Sequence, residues 1–73
     1  MKKNEFEALL KIQGRYLLMC TVHRQMHDRV ELLHAADVVD GHDSIVMAGD
    51  AAKTPAAAVK KSIARYFKQN ANH

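Results

Sequence analysis

The sequence is poor in cysteine and glycine and has no long apolar run, and each of these features excludes a class of protein. Cys20 is the single cysteine, so an internal disulfide is excluded and a reducing, cytoplasmic setting is predicted. No apolar run is long enough to cross a membrane, and the opening MKKNEFEALL lacks the uninterrupted apolar region of a secretory signal. Three scattered glycines form no phosphate-binding loop. We therefore expect no membrane association and no cofactor.

Charges of opposite sign lie in separate segments of the second half of the chain, although the formal net charge is only +3. Residues 37–50 contain acids and no lysine or arginine, namely Asp37, Asp40, Asp43 and Asp50. Residues 51–73 contain bases and no acid, namely Lys53, Lys60, Lys61, Arg65 and Lys68. Such a surface suits a protein partner at least as well as nucleic acid, for which a stronger basic excess is usual.

The segment Thr54–Lys68, TPAAAVKKSIARYFK, predicts an amphipathic helix. Thr54 can cap its first turn, and Pro55 suits the first helical position because its missing N–H costs nothing there. One face is apolar and the other is basic. The predicted apolar face comprises Ala56, Val59, Ile63, Tyr66 and Phe67. The predicted basic face comprises Lys61, Arg65 and Lys68, with Lys60 at its border.

The rest of the chain predicts one further helix and three strands. Asn4 caps a helix that Gly14 ends in a left-handed conformation. Residues 15–23 favour a strand, and so do residues 29–39 and 44–47. Asp40–Gly41 predicts a type I′ hairpin turn between the last two strands, and its alternative interpretation is a helix C-terminus.

We predict a single α+β domain, residues 1–73, in the order α-β-β-β-α, with frayed tails at 1–3 and 69–73. A three-stranded antiparallel sheet is packed by the C-terminal helix. The alternative is an all-α bundle, because residues 15–39 also fit a long central helix. A chain this short is marginally stable without help. The apolar run from Tyr16 to Val22 leaves one face uncovered, which predicts a homodimer.

The end of the chain, DSIVMAGDAAKTPAAAVKKSIARYF, resembles the tails of small phage and prophage proteins. Those tails finish with a strand, a small-residue link and a helix that opens with Thr-Pro-x-x-Ala. The resemblance covers about a third of the chain and implies a mobile-element accessory protein, such as an anti-CRISPR inhibitor of a host system.

The predicted order of helices and strands also resembles that of double-stranded RNA-binding domains. Their final helix opens with a Ser-Lys-Lys-x-x-Ala-Lys cluster that meets phosphates. In this chain Thr54, Pro55 and Ala56 occupy the positions of that serine and the paired lysines, and Lys60–Lys61 follow one turn later. The resemblance implies a nucleic-acid contact by this helix.

Cys20, His23 and His27 have the spacing Cys-x2-His-x3-His, which on a helix would place three zinc ligands on one side. A finger-type site needs a second cysteine, and a strand would turn Cys20 and His23 to opposite faces. We therefore favour a buried cysteine with two surface histidines, and no metal. An apolar setting raises a thiol pKa, which argues against a catalytic cysteine.

The sequence predicts a non-enzymatic module that binds and inhibits or regulates a protein partner. The predicted contacts are the basic residues of the last helix, Lys60, Lys61, Arg65 and Lys68, and the acidic residues Asp40 and Asp43. The alternatives are a nucleic-acid-binding protein that uses the basic helix face, and a small metal-binding domain.

Overall fold

Two helices and three strands follow one another in the order α-β-β-β-α in the computed structural model, which describes residues 1–70. The elements are α1 (Lys3–Ile12), β1 (Arg15–Gln25), β2 (Val30–Asp40), β3 (Ile45–Met47) and α2 (Pro55–Asn70). This confirms the predicted α+β order. The alternative with a long central helix is wrong, because residues 15–40 form a hairpin of two strands.

The sheet is antiparallel in the order β1-β2-β3. β1 and β2 pair along their whole length, from Arg15 opposite Asp40 to Gln25 opposite Val30. β3 is short, and a bridge between His34 and Ala52 extends pairing on that side of β2. β2 is therefore the central strand.

The loop between β2 and β3 lies where Asp40–Gly41 predicts a hairpin, but the predicted type I′ turn is wrong. Asp43, and not Gly41, has a positive φ of 61°. The Asp43 N–H donates to the Asp40 carbonyl at 3.1 Å, and the Asp40 N–H donates to the Ser44 carbonyl at 3.0 Å. The loop is thus a three-residue connection with a left-handed last residue, a common alternative to the two-residue turn.

The helix ends agree with the sequence at three of four predicted points. Thr54 Oγ1 accepts the Ala57 N–H at 3.1 Å, and Pro55 is the first residue of α2. Gly14 follows α1 with a φ of 73°. The predicted Asn4 cap is wrong, because α1 begins one residue earlier at Lys3 and Glu5 accepts the Lys2 N–H.

The tails predicted to fray, residues 1–3 and 69–73, overlap with the outer ends of the two helices. Lys3 is the first residue of α1, and α2 continues to Asn70. Residues 71–73 lie outside the described part of the chain.

Both helices pack on one face of the sheet. Phe6 and Leu10 of α1 meet Tyr66 of α2 over Val38 and Met47. The Phe6 and Tyr66 rings pack edge to face with centroids 5.4 Å apart. A second cluster of small residues joins α2 to the sheet beside them, and it comprises Ala36, Ala52, Ala58 and Val59.

The buried face of α2 is rotated relative to the predicted one. Ser62 is fully buried, whereas Phe67 is 41% exposed. The Ser62 hydroxyl donates to the Ala36 carbonyl at 2.5 Å. The Ser62 hydroxyl supplies the hydrogen bond that the Ala36 carbonyl of β2 needs when α2 covers it. Apolar periodicity does not predict a buried serine of this kind.

Candidate functional site

An open groove of about 700 Å³ lies between the start of α1 and the first three turns of α2. We call it the α1–α2 groove. It contains mainly apolar side chains, with Met19 contributed by β1. Its lining residues are Met1, Lys2, Lys3, Met19, Pro55, Ala56, Val59, Lys60, Ile63 and Ala64. Because the alanines and Pro55 are short, α2 leaves room for a side chain or a helix from outside.

The charged side chains that line the α1–α2 groove are all basic. Lys2 and Lys3 come from the start of α1, and Lys60 comes from α2. Lys3 Nζ lies 3.5 Å from Glu7, but both side chains are about half exposed, and such pairs contribute little. No acidic residue lines the groove among the described residues. An apolar floor with a positive rim favours an amphipathic ligand that carries negative charge.

The predicted basic face of α2 is divided by its contacts. Lys60 faces the α1–α2 groove, as above. Lys61 Nζ donates to the Ala51 carbonyl at 2.9 Å. Arg65 donates to the Ala48 carbonyl and to Asp50 Oδ1, both at 3.1 Å. Lys61 and Arg65 therefore hold the segment before α2 against the helix, which reduces what they offer to a phosphate or an acidic partner.

Lys68 lies near the end of α2, beside a second, more open cavity. This cavity has a volume of about 690 Å³ and also contains Lys61, Arg65 and Asp50. Because Asp50 pairs with Arg65 there, the positive charge around Lys68 is partly neutralised. Lys60 and Lys68 thus line different cavities, which adjoin at Ala64.

The predicted acidic contacts, Asp40 and Asp43, hold the β2–β3 loop. Asp40 Oδ1 accepts the N–H groups of His42 and Ser44 at 2.8 and 3.0 Å. These bonds lower the pKa of Asp40 from its ordinary value. Asp43 accepts the Tyr16 hydroxyl at 2.8 Å, and this bond raises the pKa of Tyr16. Charge reversal at Asp40 would therefore alter the loop as well as the surface charge.

The residues considered for a metal do not converge. β1 turns Cys20 and His23 to opposite faces of the sheet, and His27 lies in the loop after it. In residues 1–70 no three histidine, cysteine or acidic side chains are grouped closely enough for a metal ion. Burial, together with Asp37 3.6 Å from Cys20 Sγ, raises the pKa of the thiol. A raised pKa disfavours a nucleophilic thiolate near neutral pH.

Sequence reasoning missed two features that shape this surface. The first is that Lys2 and Lys3 line the same groove as Lys60. These lysines are far apart in the sequence, so only tertiary packing brings them to one groove. The second is the polar contact of Tyr66, whose hydroxyl accepts from Arg15 at 2.5 Å and donates to Gln13. That contact ties the α1–β1 connection to α2.

Comparisons with protein-family models, with curated proteins and with solved structures found no match to the chain. Within residues 1–70, neither helix has the length and apolar character needed to cross a membrane.

Proposed function

We propose that the chain is a non-enzymatic interaction module that binds a protein partner and thereby inhibits or regulates it. The bound segment is an acidic amphipathic helix that lies in the α1–α2 groove. The observation that carries this proposal is an apolar groove whose charged lining residues, Lys2, Lys3 and Lys60, all have the same sign.

The groove suits recognition of a helix by its apolar face. Residues at i, i+3, i+4 and i+7 of the partner would pack on Met19, Val59 and Ile63. Unbranched methionine adapts to side chains of differing shape, so the floor tolerates sequence variation in the ligand. The lysines at the rim would attract acidic residues that flank this apolar stripe, which speeds encounter and sets orientation.

The resemblance of residues 43–67 to phage and prophage proteins supports a host protein as the partner, in a system such as CRISPR. We place this interaction in the cytoplasm, because Cys20 is a free thiol and the chain has no second cysteine. No catalytic role is assigned to the chain.

Nucleic-acid binding by the basic face of α2 is less favoured. Lys61 and Arg65 are engaged by carbonyls and by Asp50, as described above. If α2 were a phosphate-binding surface, affinity for duplex RNA or DNA would fall steeply with salt. We expect only weak binding with no preference between sequences.

The proposal is tested with two synthetic peptides that share the same leucine positions at helical spacing. One carries glutamates at the remaining positions and the other carries lysines. Fluorescence anisotropy should show binding of the acidic peptide and none of the basic one. Lys60→Glu should weaken acidic-peptide binding by about tenfold, which corresponds to roughly 1.4 kcal/mol.

The matched control is Lys68→Glu, which makes the same charge change on the same helix outside the groove. It should leave peptide affinity within about twofold of the wild-type value, because exposed distant charges are screened by salt. Equal loss in both variants would show a non-specific charge effect. Equal affinity for the two peptides would reject the proposal.

A further inference from the structure

β1 is an edge strand whose outer side has no partner. It pairs with β2 along all eleven residues, and residues 1–70 supply no other strand beside it. The Met26 N–H donates to the Arg29 carbonyl, and His34 exchanges both of its backbone bonds with Ala52 on the far side of β2. Since ladder bonds alternate, the odd-numbered residues of β1 direct their N–H and C=O groups away from β2.

Three features by which proteins block further pairing are missing from this edge, although Glu7 and Lys11 of α1 lie beside its first residues, Arg15 to Leu17. Residues 16–22, YLLMCTV, contain no charge and no proline. The pairing of β1 with β2 has no register shift, so no bulge twists the edge away. A long, regular, apolar edge is a template for another strand.

The molecule is also less compact than an isolated domain of its length. Its radius of gyration is 13.1 Å and its longest extent is 44 Å. A compact domain of this length would have a radius of gyration of about 11 Å. The β1–β2 hairpin extends past the helices, so Val30 and Leu32 are more than half exposed on the helix side of the sheet.

We propose that a second copy of the chain occupies this edge. The two β1 strands pair antiparallel about a two-fold axis at Cys20, and the two sheets join into one of six strands. Because the axis is perpendicular to the sheet, the helices of both subunits lie on the same side. The partner's β1 then borders Met19, at the open side of the α1–α2 groove.

The register follows from symmetry and length. Only the odd-numbered residues of β1 direct their backbone N–H and C=O groups outward, so each must pair with an odd-numbered residue of the partner. A two-fold axis at Cys20 is the register that uses the whole of β1, from Arg15 opposite Gln25 to Cys20 opposite its own copy. It sets Leu18 against Val22 and Tyr16 against Arg24. Apolar residues meet each other, and no two like charges stand opposite.

Stacking of the uncovered sheet faces is the competing arrangement. That face exposes Tyr16, Leu18, Val22 and Val46, each by 40–43%. The Asp37 carboxylate, which accepts the Gly49 N–H at 2.7 Å, lies in its middle. Burying that charge under a second sheet costs desolvation free energy, whereas edge pairing leaves the exposure of Asp37 unchanged. The edge is therefore the favoured contact.

Sedimentation over a concentration series tests the proposal. The wild-type chain should form dimers, and Thr21→Pro should remain monomeric, because its outward N–H is lost and the ring blocks the edge. Leu18→Lys should also favour the monomer. Its matched control is Val46→Lys, which introduces the same side chain at similar exposure on β3 and should dimerise like the wild type. Circular dichroism checks that each variant is folded.

A compensating pair tests the register. Leu18→Lys combined with Val22→Glu should restore dimers, since the new charges face each other only across the two-fold axis. Within one chain these positions are about 13 Å apart along the strand. Cys20 offers a second test, because opposite residues in a non-hydrogen-bonded pair lie about 4.5 Å apart between Cα atoms, within disulfide range. Diamide should link the two thiols and itself be reduced to the hydrazine, and Cys20→Ser should prevent the link.

Monomeric wild-type protein at every concentration would overturn the proposal. Loss of dimers with Val46→Lys but not with Thr21→Pro would overturn it in favour of face stacking. Dimers without rescue or cross-linking would overturn the register. Peptide binding is measured separately, so this proposal and the proposed function fail independently.

Discussion

Three small residues determine how closely α2 approaches the sheet. Ser62 donates to the Ala36 carbonyl from a fully buried position. A Cβ at Gly49 would lie 2.2 Å from the same Ala36 carbonyl oxygen, so only glycine fits there. The strand, the connecting segment and the helix therefore converge on one backbone carbonyl.

Gly49→Ala should destabilise the fold by about 2–3 kcal/mol, because the atoms that the new methyl meets belong to backbone and cannot rotate away. The free energy of unfolding in urea measures this change.

The other two glycines are the controls for this prediction. Gly14→Ala has space but requires a left-handed φ of 73°, so it should cost about 1 kcal/mol. Gly41→Ala has its nearest contact at 3.8 Å and should fall within about 0.5 kcal/mol of wild type. If the three variants were equally stable, close approach at Gly49 would not be the controlling feature.

Among the elements, the β2–β3 loop shows how one side chain can select a turn. Asp40 accepts two backbone N–H groups of the loop. The carboxylate thereby stabilises the three-residue loop, although Asp-Gly favours the two-residue turn.

The loop should loosen in acid. The bonds from Ser44 and His42 lower the pKa of Asp40 in the folded state, so its stabilising effect is present above the unfolded pKa. That effect is lost as the pH falls below about 4 and through the folded pKa. The amide proton shifts of His42 and Ser44, followed by NMR, should show this titration. Asp40→Asn should remove it, and an unchanged pH response in that variant would assign the titration to another group.

Local signals predicted the elements unevenly. α2 carries its own cap, its own first-turn proline and a strong apolar period, so its start was predicted correctly. Residues 15–39 fit both a helix and a strand, because their apolar residues satisfy either period. Pairing between β1 and β2 resolves this choice, and pairing depends on residues up to 25 positions apart.

At the scale of the whole molecule, the aromatic cluster joins the two ends of the chain. Phe6 of α1 packs against Tyr66 and Phe67 of α2, with ring centroids 5.4 and 6.3 Å away. These contacts position α1 beside α2 and so form the walls of the α1–α2 groove.

Phe6→Ala should cost about 3–5 kcal/mol, since it removes a fully buried ring and leaves a cavity between the helices. For a domain of this size that loss should lower the Tm by more than about 12 °C. Ile12→Ala is the control on the same helix, because Ile12 is 84% exposed and its loss should matter little. Calorimetry at one fixed protein concentration measures both, and equal Tm values would show that the cluster is not central to the fold.

The candidate site was only partly predictable. Lys60 was expected to contact a partner and does line the groove, but Lys2, Lys3 and Met19 were not expected. Helical periodicity places Lys61 and Arg65 on one side of α2 with Lys60 at the border, because it shows which side of a helix a residue occupies. Periodicity does not show which carbonyls or acids from elsewhere meet it there.

The start of α2 and the end of α1 at Gly14 follow from local chemistry, since caps, proline and glycine act within a few residues. The choice of strand over helix for residues 15–39 depends instead on the pairing of β1 with β2. The turn after β2 is also local, because Asp40 bonds the N–H groups of His42 and Ser44. The buried face of α2 and the groove depend on tertiary packing. Each of these requires groups that are distant in sequence, such as Ser62 with Ala36 or Lys60 with Lys2. Contacts of this kind form only once the helices lie on the sheet, so the tertiary structure decides them.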